Sequence, residues 1–180
     1  MKSNIALIGF MGAGKSAVGR VLAAATKMDF IDIDTAVEEK AGRPITEIFA
    51  REGEPAFRRI EAAAVSDAAG RENTVVSCGG GVVLDRSNID ALRRNAMIIY
   101  LSAEPSVLLR RVLNSREKRP LLQMIDPAEA MDTLLKSRKP LYEEAADLKV
   151  NTSELDIDGV VQNILAEVRK NESHSFPEQT

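Results

Sequence analysis

The stretch Gly9-Phe-Met-Gly-Ala-Gly-Lys15-Ser16 fits the pattern G-x-x-x-x-G-K-[ST]. It follows a short apolar run, residues 4–8, and opens an alanine-rich helical stretch, residues 15–26. A strand, a glycine-rich turn and a helix in this order are the context in which the pattern binds phosphate groups. We therefore predict a nucleotide site at this turn. The alternative is a glycine-rich turn that only connects a strand to a helix.

Each part of this turn has a predicted task. The glycines let the backbone curl so that its N–H groups and the helix N-terminus point at phosphate oxygens. Lys15 is expected to reach the β and γ phosphates, and the Ser16 hydroxyl is expected to bind Mg²⁺. Most ligands of this ion are expected to be phosphate and water oxygens. The predicted nucleotide-binding residues of the turn are Gly12, Ala13, Gly14, Lys15, Ser16 and Ala17.

The rest of the chain alternates between apolar strand patterns and helical patterns. Further strands are predicted at residues 29–33, 74–77, 96–101 and 147–150, and helices at 35–40, 46–51, 55–69, 87–94, 104–113, 127–144 and 157–170. Near-continuous apolar strands separated by helices are typical of a parallel sheet that is covered on both faces. We predict one three-layer α/β domain over residues 1–170 with five parallel strands, and a frayed tail over residues 171–180.

Composition and charge exclude several classes of partner. The chain has 24 Lys and Arg against 27 Asp and Glu, so its net charge of −3 gives no reason to expect nucleic acid or an anionic membrane. No apolar run approaches the roughly 20 residues of a membrane span, and no cleavable signal is evident. The single cysteine, Cys78, has no partner for an internal disulfide. We expect a cytoplasmic monomer.

Two other classes of nucleotide-binding protein fit poorly. A GTP-binding switch should carry N-K-x-D, but no asparagine here is followed by lysine. Asp67 to Gly70 spells D-x-x-G, but it lies at a predicted helix end. The catalytic-loop histidine of protein kinases has no counterpart, since the only histidine is His174 in the tail. The pattern therefore favours a small-molecule kinase.

Two carboxylates follow the second predicted strand. The period of two in a strand places Asp32 and Asp34 on the same side at its carboxyl end, where open α/β sheets bind ligands. Two carboxylates there indicate a cation, a hydroxylated ligand, or both. The alternative for Asp34 is an N-cap of the helix predicted to begin at Thr35. Capping does not explain Asp32.

A set of motifs resembles the shikimate kinase family in order and spacing. They are Gly9–Ser16, Asp32-Ile-Asp34, Glu52-Gly-Glu-Pro-Ala-Phe-Arg58-Arg-Ile-Glu61, Gly79-Gly-Gly81, Arg119-Pro-Leu-Leu and Arg138-Lys-Pro-Leu-Tyr142. The resemblance runs from about residue 4 to residue 170. It implies a fold like that of nucleoside monophosphate kinases. It also implies ATP-dependent phosphorylation of the shikimate 3-hydroxyl in aromatic amino acid (chorismate) biosynthesis.

The resemblance also assigns the acceptor site. Asp34 is implied to orient the attacking hydroxyl and take its proton, and Asp32 to lie nearer the metal. Arg58 and Arg138 are implied to hold the shikimate carboxylate, a task that suits a planar guanidinium. The glycines 79, 80 and 81 would let the ring approach, with a hydrogen bond from the Gly80 N–H. ATP rather than GTP rests on the resemblance alone.

Several of these residues have simpler explanations. Arg58 lies four residues after Glu54 and three before Glu61, so a surface ion pair would explain it. Arg138 stands out only through the resemblance. The glycine triplet could form an ordinary turn.

A basic segment between two predicted helices is a further candidate for binding the phosphates. Residues 110–120 carry four arginines and a lysine, which read either as a solvated charge run or as part of a mobile lid, about residues 114–126, that closes over the phosphates. The resemblance assigns Arg119 to the phosphates and to catalysis. It places either Arg110 or Arg111 beside the adenine, and we take Arg110.

The chain departs from the family pattern at position 78, and two alternative functions are open. Cys78, preceded by Ser77, stands where the family commonly has threonine, so we assign neither to the metal and expect a buried structural thiol at Cys78. Kinases for another acceptor, such as gluconate or a nucleoside monophosphate, form one rival class. A nucleotide-binding regulator without transfer activity forms the other.

Overall fold

A computed structural model of the chain describes residues 2–114 and 127–173. Within these ranges the strands are β1 (Asn4–Ile8), β2 (Asp29–Asp32), β3 (Thr74–Ser77), β4 (Ala96–Ser102) and β5 (Leu148–Asn151). The helices are α1 (Lys15–Thr26), α2 (Ile33–Ala41), α3 (Ile45–Ala69), α4 (Arg86–Arg93), α5 (Pro105–Leu113), α6 (Pro127–Ala145) and α7 (Ile157–Ser173), with a 3-10 turn at Val82–Leu84.

The strands form one parallel sheet in the order β2-β3-β1-β4-β5. Ile5 pairs with Val75 on one side and with Met97 on the other, which fixes the register of β1 between its neighbours. Every residue of β1 and β3 is buried. Because successive side chains of a strand point to opposite faces, burial of all of them means that both faces are covered. The predicted five-stranded α/β fold is confirmed.

The helices cover the sheet in two groups. α1 lies against β2 and β3 and packs on α7, which also contacts β5. α3 packs on α2 and α4, while α4 and α6 contact β4. The apolar core between these elements includes Leu7, Leu22, Val76, Ile98 and Ile164, each fully buried. This core fixes the strand ends, on which the site described below is built.

The structure moves some predicted boundaries. β2 ends at Asp32 and α2 begins at once with Ile33, so Asp34 lies in the first turn of a helix rather than at a strand end. The two predicted helices at 46–51 and 55–69 form α3, which is interrupted at Gly53, where φ is 78° and ψ 176°. α7 continues to Ser173, so the predicted tail starts too early. Residues 115–126, most of the predicted lid, and 174–180 lie outside the described residues.

Within residues 2–114 and 127–173, no helix is both long enough and apolar enough to cross a membrane.

Gly9 allows the turn after β1 to approach β4 closely. Its φ is +144°, and a Cβ at this position would collide with the backbone carbonyl oxygen of Leu101. Gly42 also has a positive φ, +65°, but a Cβ there would meet no atom within 4 Å. The two glycines therefore share the conformational requirement, and only Gly9 adds a steric one.

We expect Gly9→Ala to destabilise the fold more than Gly42→Ala does. Alanine in such a sparsely populated backbone conformation costs about 1–3 kcal/mol at either position. The collision with Leu101 should add about 1–3 kcal/mol at Gly9 alone. Urea unfolding of both ligand-free variants measures the difference. Equal losses in the free energy of unfolding would show that the close approach to Leu101 does not constrain this turn.

Candidate active site

A cavity of about 670 Å³ lies over the carboxyl ends of the strands. Residues from five separate sequence motifs meet in this cavity. The predicted residues that line it are Gly12, Gly14, Lys15, Ser16, Ala17, Asp32, Asp34, Arg58, Gly79, Gly80, Gly81 and Arg138. Ala13 is buried and does not line the cavity. Arg119 lies outside the described residues.

The turn between β1 and α1 has the backbone expected of a phosphate cradle. Gly12 and Gly14 have φ values of 81° and 89°, and Gly14 is the N-cap of α1 without a side-chain cap. No acidic side chain occupies the first turn of α1, so the helix N-terminus keeps its partial positive charge toward the cavity. The Lys15 ammonium donates a hydrogen bond to the Phe10 carbonyl oxygen at 3.1 Å. This turn can bind an anion through main-chain donors and one cation.

Asp32 links α2 to the nucleotide turn. One of its carboxylate oxygens accepts from the backbone N–H groups of Asp34 and Thr35, which makes Asp32 the N-cap of α2. The expectation that capping does not explain Asp32, and that Asp34 is the alternative cap, is therefore wrong. The other oxygen accepts from the Ser16 hydroxyl at 2.6 Å. A hydroxyl and a carboxylate side by side suit a hard cation such as Mg²⁺.

Arg58 is held by two carboxylates of its own helix. Its guanidinium donates to Glu54 at 3.1 and 2.7 Å and to Glu61 at 2.7 Å. Burial lowers the pKa of Arg58, but the two carboxylates outweigh it and the net pKa is raised. The guanidinium lies directly against Gly81, where any Cβ would overlap it. The ion pairs expected as the simpler explanation are present, and they hold the side chain at the cavity rather than in solvent.

Glu61 is a buried carboxylate that the motif contained but sequence reasoning did not select. Its side chain is fully buried, and its Oε1 atom has no hydrogen-bond partner among the described residues. A Cβ on Gly79 would lie 2.8 Å from this oxygen and 2.9 Å from Oδ1 of Asp34, so both carboxylates flank Gly79. Burial raises the pKa of Glu61, partly offset by Arg58 and Arg138. Glycine is needed at position 79 because two carboxylates occupy the space beside it.

The Gly80 carbonyl oxygen accepts two hydrogen bonds from α6. Arg138 donates at 3.2 Å, and the hydroxyl of the fully buried Tyr142 also donates. The Tyr142 ring stacks on Tyr100 with centroids 5.1 Å apart. Burial raises the pKa of Tyr142, so it stays a donor. Tyr142 closes the motif that begins with Arg138, and its four-residue helical spacing from Arg138 was the available signal for this shared contact.

Arg111 is the residue that α5 contributes to the lining of the cavity. Arg111 lines the cavity and donates to the Gly12 and Thr152 carbonyl oxygens at 3.4 and 2.7 Å and to the Thr152 hydroxyl at 3.0 Å. Arg110 is exposed and does not line the cavity. Of the two arginines considered for the adenine, the structure thus places Arg111 and not the selected Arg110 at the cavity, because one residue along a helix turns the side chain by about 100°.

Ser77 and Cys78, at the end of β3, also line the cavity. The Ser77 hydroxyl is 3.3 Å from the Ser16 hydroxyl. Cys78 is buried, and burial raises the pKa of its thiol well above the ordinary value. The thiol therefore remains protonated, as expected of a structural cysteine.

Similar proteins show the family to which the chain belongs. A sequence model of the shikimate kinase family matches residues 11–169. The shikimate kinase of Pelotomaculum thermopropionicum is 46% identical over 162 residues, which cover 90% of this chain and 93% of that protein. The chain belongs to the shikimate kinase family. The resemblance found from the motifs is confirmed.

Solved structures of shikimate kinases have the same fold. The Acinetobacter baumannii shikimate kinase in complex with shikimate has a TM-score of 0.90 and 35% identity over 95% of each chain. The Aquifex aeolicus shikimate kinase has a TM-score of 0.79 and 31% identity over 94% of this chain and 98% of that one. A gluconokinase from Sinorhizobium meliloti, at 24% identity and a TM-score of 0.64, covers 99% of this chain and 98% of its own. That likeness shows the fold alone.

Glu61 gives the folded kinase a testable pH dependence. Because burial raises its pKa above the ordinary value of 4.5, the folded state binds a proton more tightly than the unfolded chain does. The stability from this proton is fully present below the unfolded pKa and is lost as the pH rises through the raised pKa. As the pH rises above about 4.5, the free energy of unfolding should fall more steeply for the wild type than for Glu61→Gln.

Urea unfolding across this pH range measures the two slopes. Glu54→Gln controls for the loss of one carboxylate partner of Arg58 without touching the buried Glu61. Parallel slopes for the wild type and Glu61→Gln would contradict a raised pKa at Glu61.

Proposed function

We propose that this protein transfers the γ-phosphoryl group of MgATP to the 3-hydroxyl of shikimate, giving shikimate 3-phosphate and ADP. The observation that carries the proposal is a single cavity in which a phosphate cradle faces an aspartate and two arginines. Family membership supports the same reaction, which serves the biosynthesis of aromatic amino acids.

The nucleotide would occupy the half of the cavity formed by α1 and α5. We propose that the turn N–H groups and Lys15 bind the β and γ phosphates, and that Arg111 lies beside the adenine. Arg119 is proposed to add positive charge at the phosphates, as the family resemblance implies. The nucleotide-binding residues proposed from the turn remain Gly12, Ala13, Gly14, Lys15, Ser16 and Ala17.

Ser16 and Asp32 are proposed to hold Mg²⁺. Their oxygens are adjacent, 2.6 Å apart, and hydroxyl and carboxylate oxygens are the ligands this ion takes. The described residues contain no cluster of three or more His, Cys, Asp or Glu side chains suited to a metal. Two protein ligands fit an ion whose remaining ligands are phosphates and water. Bound there, Mg²⁺ would neutralise charge on the β and γ phosphates.

Shikimate would occupy the half formed by α2, α3 and the glycine turn. We propose that Arg58 and Arg138 bind the shikimate carboxylate. The Gly80 N–H is proposed to donate a further hydrogen bond to shikimate. Asp34 would orient the attacking hydroxyl and accept its proton as the new oxygen–phosphorus bond forms. The bond between the γ phosphorus and the bridging oxygen breaks, and ADP leaves. Positioning and charge neutralisation supply most of the acceleration of such a loose transition state.

The rival functions make weaker use of this geometry. A kinase for gluconate or for a nucleotide would share this fold, but no residue of the cavity separately favours either acceptor. A regulator that only binds nucleotide would not need an acceptor half built from Asp34, Arg58 and Arg138. We further propose that the protein acts as a cytoplasmic monomer on small molecules, without nucleic acid or membrane as partner.

Release of ADP from MgATP by the purified protein tests the reaction. We expect shikimate alone to stimulate release, with gluconate and AMP inactive as acceptors. Lys15→Ala should reduce the stimulated rate at least about a hundredfold, because it removes a cation from the developing phosphate charge. Lys136→Ala, at a position on the exposed side of α6, is the matched control. Stimulation by another acceptor would overturn the substrate, and no stimulation by any of the three would favour the regulator.

Arg58→Lys tests the carboxylate site separately. Lysine keeps the charge but loses the planar fork, so we expect the KM for shikimate to rise about tenfold or more. The KM for ATP should change little. Arg59→Lys, the exposed neighbour on α3, is the control. Initial rates at varied shikimate and varied ATP separate the two constants. An unchanged KM for shikimate would remove Arg58 from the acceptor site.

A further inference from the structure

Thr152 is a buried polar residue that has so far appeared only as a hydrogen-bond partner of Arg111. It follows β5 directly, is 2% exposed and does not line the cavity. Its backbone N–H donates to the Ser102 carbonyl oxygen at 2.8 Å, which ties it to the end of β4. The Thr152 backbone is therefore anchored to the end of the sheet.

The Thr152 hydroxyl connects two parts of the nucleotide half. It accepts from Nη1 of Arg111 at 3.0 Å and donates to the Ala13 carbonyl oxygen at 3.4 Å. The Thr152 carbonyl oxygen accepts from Nη2 of Arg111 at 2.7 Å. Arg111 is thus held by two oxygen atoms of one residue, its hydroxyl and its carbonyl, and the same hydroxyl reaches the turn that should bind phosphate.

The contact with Ala13 sets the direction of a main-chain donor. In a trans peptide the carbonyl and the following N–H point in opposite directions, and the described residues contain no cis peptide. A hydroxyl that holds the Ala13 carbonyl toward Thr152 therefore directs the Gly14 N–H away from Thr152. Gly14 lines the cavity, whereas Thr152 does not. This orientation would place the N–H donor, rather than the repelling carbonyl oxygen, on the side of the turn that faces the phosphates.

We propose that Thr152 is a positioning residue for the nucleotide. It orients the Arg111 guanidinium and the Ala13–Gly14 peptide at the same time, and so organises the adenine end and the phosphate end together. The inference rests on the proposed nucleotide site. It concerns the hydroxyl rather than the bulk of the side chain, since valine of equal size would leave the Ala13 carbonyl and Nη1 of Arg111 with one contact fewer each.

Thr152→Val and Thr152→Ser test the hydroxyl. We expect Thr152→Val to weaken ADP binding, measured by calorimetry, by about tenfold and to raise the KM for ATP by a similar factor. The KM for shikimate should change less than about twofold, and Thr152→Ser should restore most of the ADP affinity. Thr74→Val is the matched control, because Thr74 is also fully buried but its hydroxyl bonds the Glu72 carbonyl far from the cavity.

The outcomes separate this inference from the proposed function. Failure of the wild type to bind ADP would overturn the nucleotide site itself. Binding of ADP by Thr152→Val with wild-type affinity would overturn only the role of Thr152. So would equal losses of affinity in Thr152→Val and Thr74→Val, or equal increases in the KM values for ATP and shikimate, since both indicate a general structural effect. Loss of binding in Thr152→Ser as large as in Thr152→Val would also overturn it.

Discussion

The parallel pairing of β1 with β3 and β4 is the constraint on which the rest of the structure depends. Main-chain hydrogen bonds fix Ile5 opposite Val75 and Met97, so the carboxyl ends of the three strands meet at one edge. The nucleotide turn follows β1, the glycine turn follows β3, and α5 follows β4. No one of these segments builds the site alone. The sheet brings them together because parallel strands must all end on the same side.

Charge balance in the acceptor half depends on burial. Arg58 and Arg138 face Glu61, Asp34 and the space proposed for the acceptor carboxylate. A buried ionised group is costly unless it is paired and hydrogen-bonded. Glu61 pairs with Arg58 through one oxygen only, and burial raises its pKa in spite of that pair. The Arg58 guanidinium is thereby held at the cavity, while Glu61 keeps one buried oxygen without a hydrogen bond among the described residues. This arrangement lowers stability, and a functional role of Arg58 explains it better than folding does.

The strands and the nucleotide turn were predictable because their signals are local, whereas Arg138 stood out only through the family resemblance. Asp32 was misread because the period of two assumes an extended chain, whereas the backbone passes from β2 into α2 without a loop. Arg110 was selected over Arg111 because the helical phase depends on how α5 packs against the nucleotide turn. Thr152 gave no local signal at all. Its importance comes from contacts with residues about 40 and 140 positions away, which only the tertiary structure defines.

The packing of the glycine turn against the nucleotide turn joins the two halves of the site. A Cβ on Gly80 would lie 3.6 Å from the Met11 nitrogen and 3.8 Å from the Gly9 oxygen, so the two backbones are neighbours. Tyr142 and Arg138 hold the Gly80 carbonyl from α6, and β4 holds Gly9 from the other side. Phosphoryl transfer in line requires a fixed distance between acceptor oxygen and γ phosphorus. Backbone packing therefore sets the relative position of the two turns, on which that distance would depend in the proposed reaction.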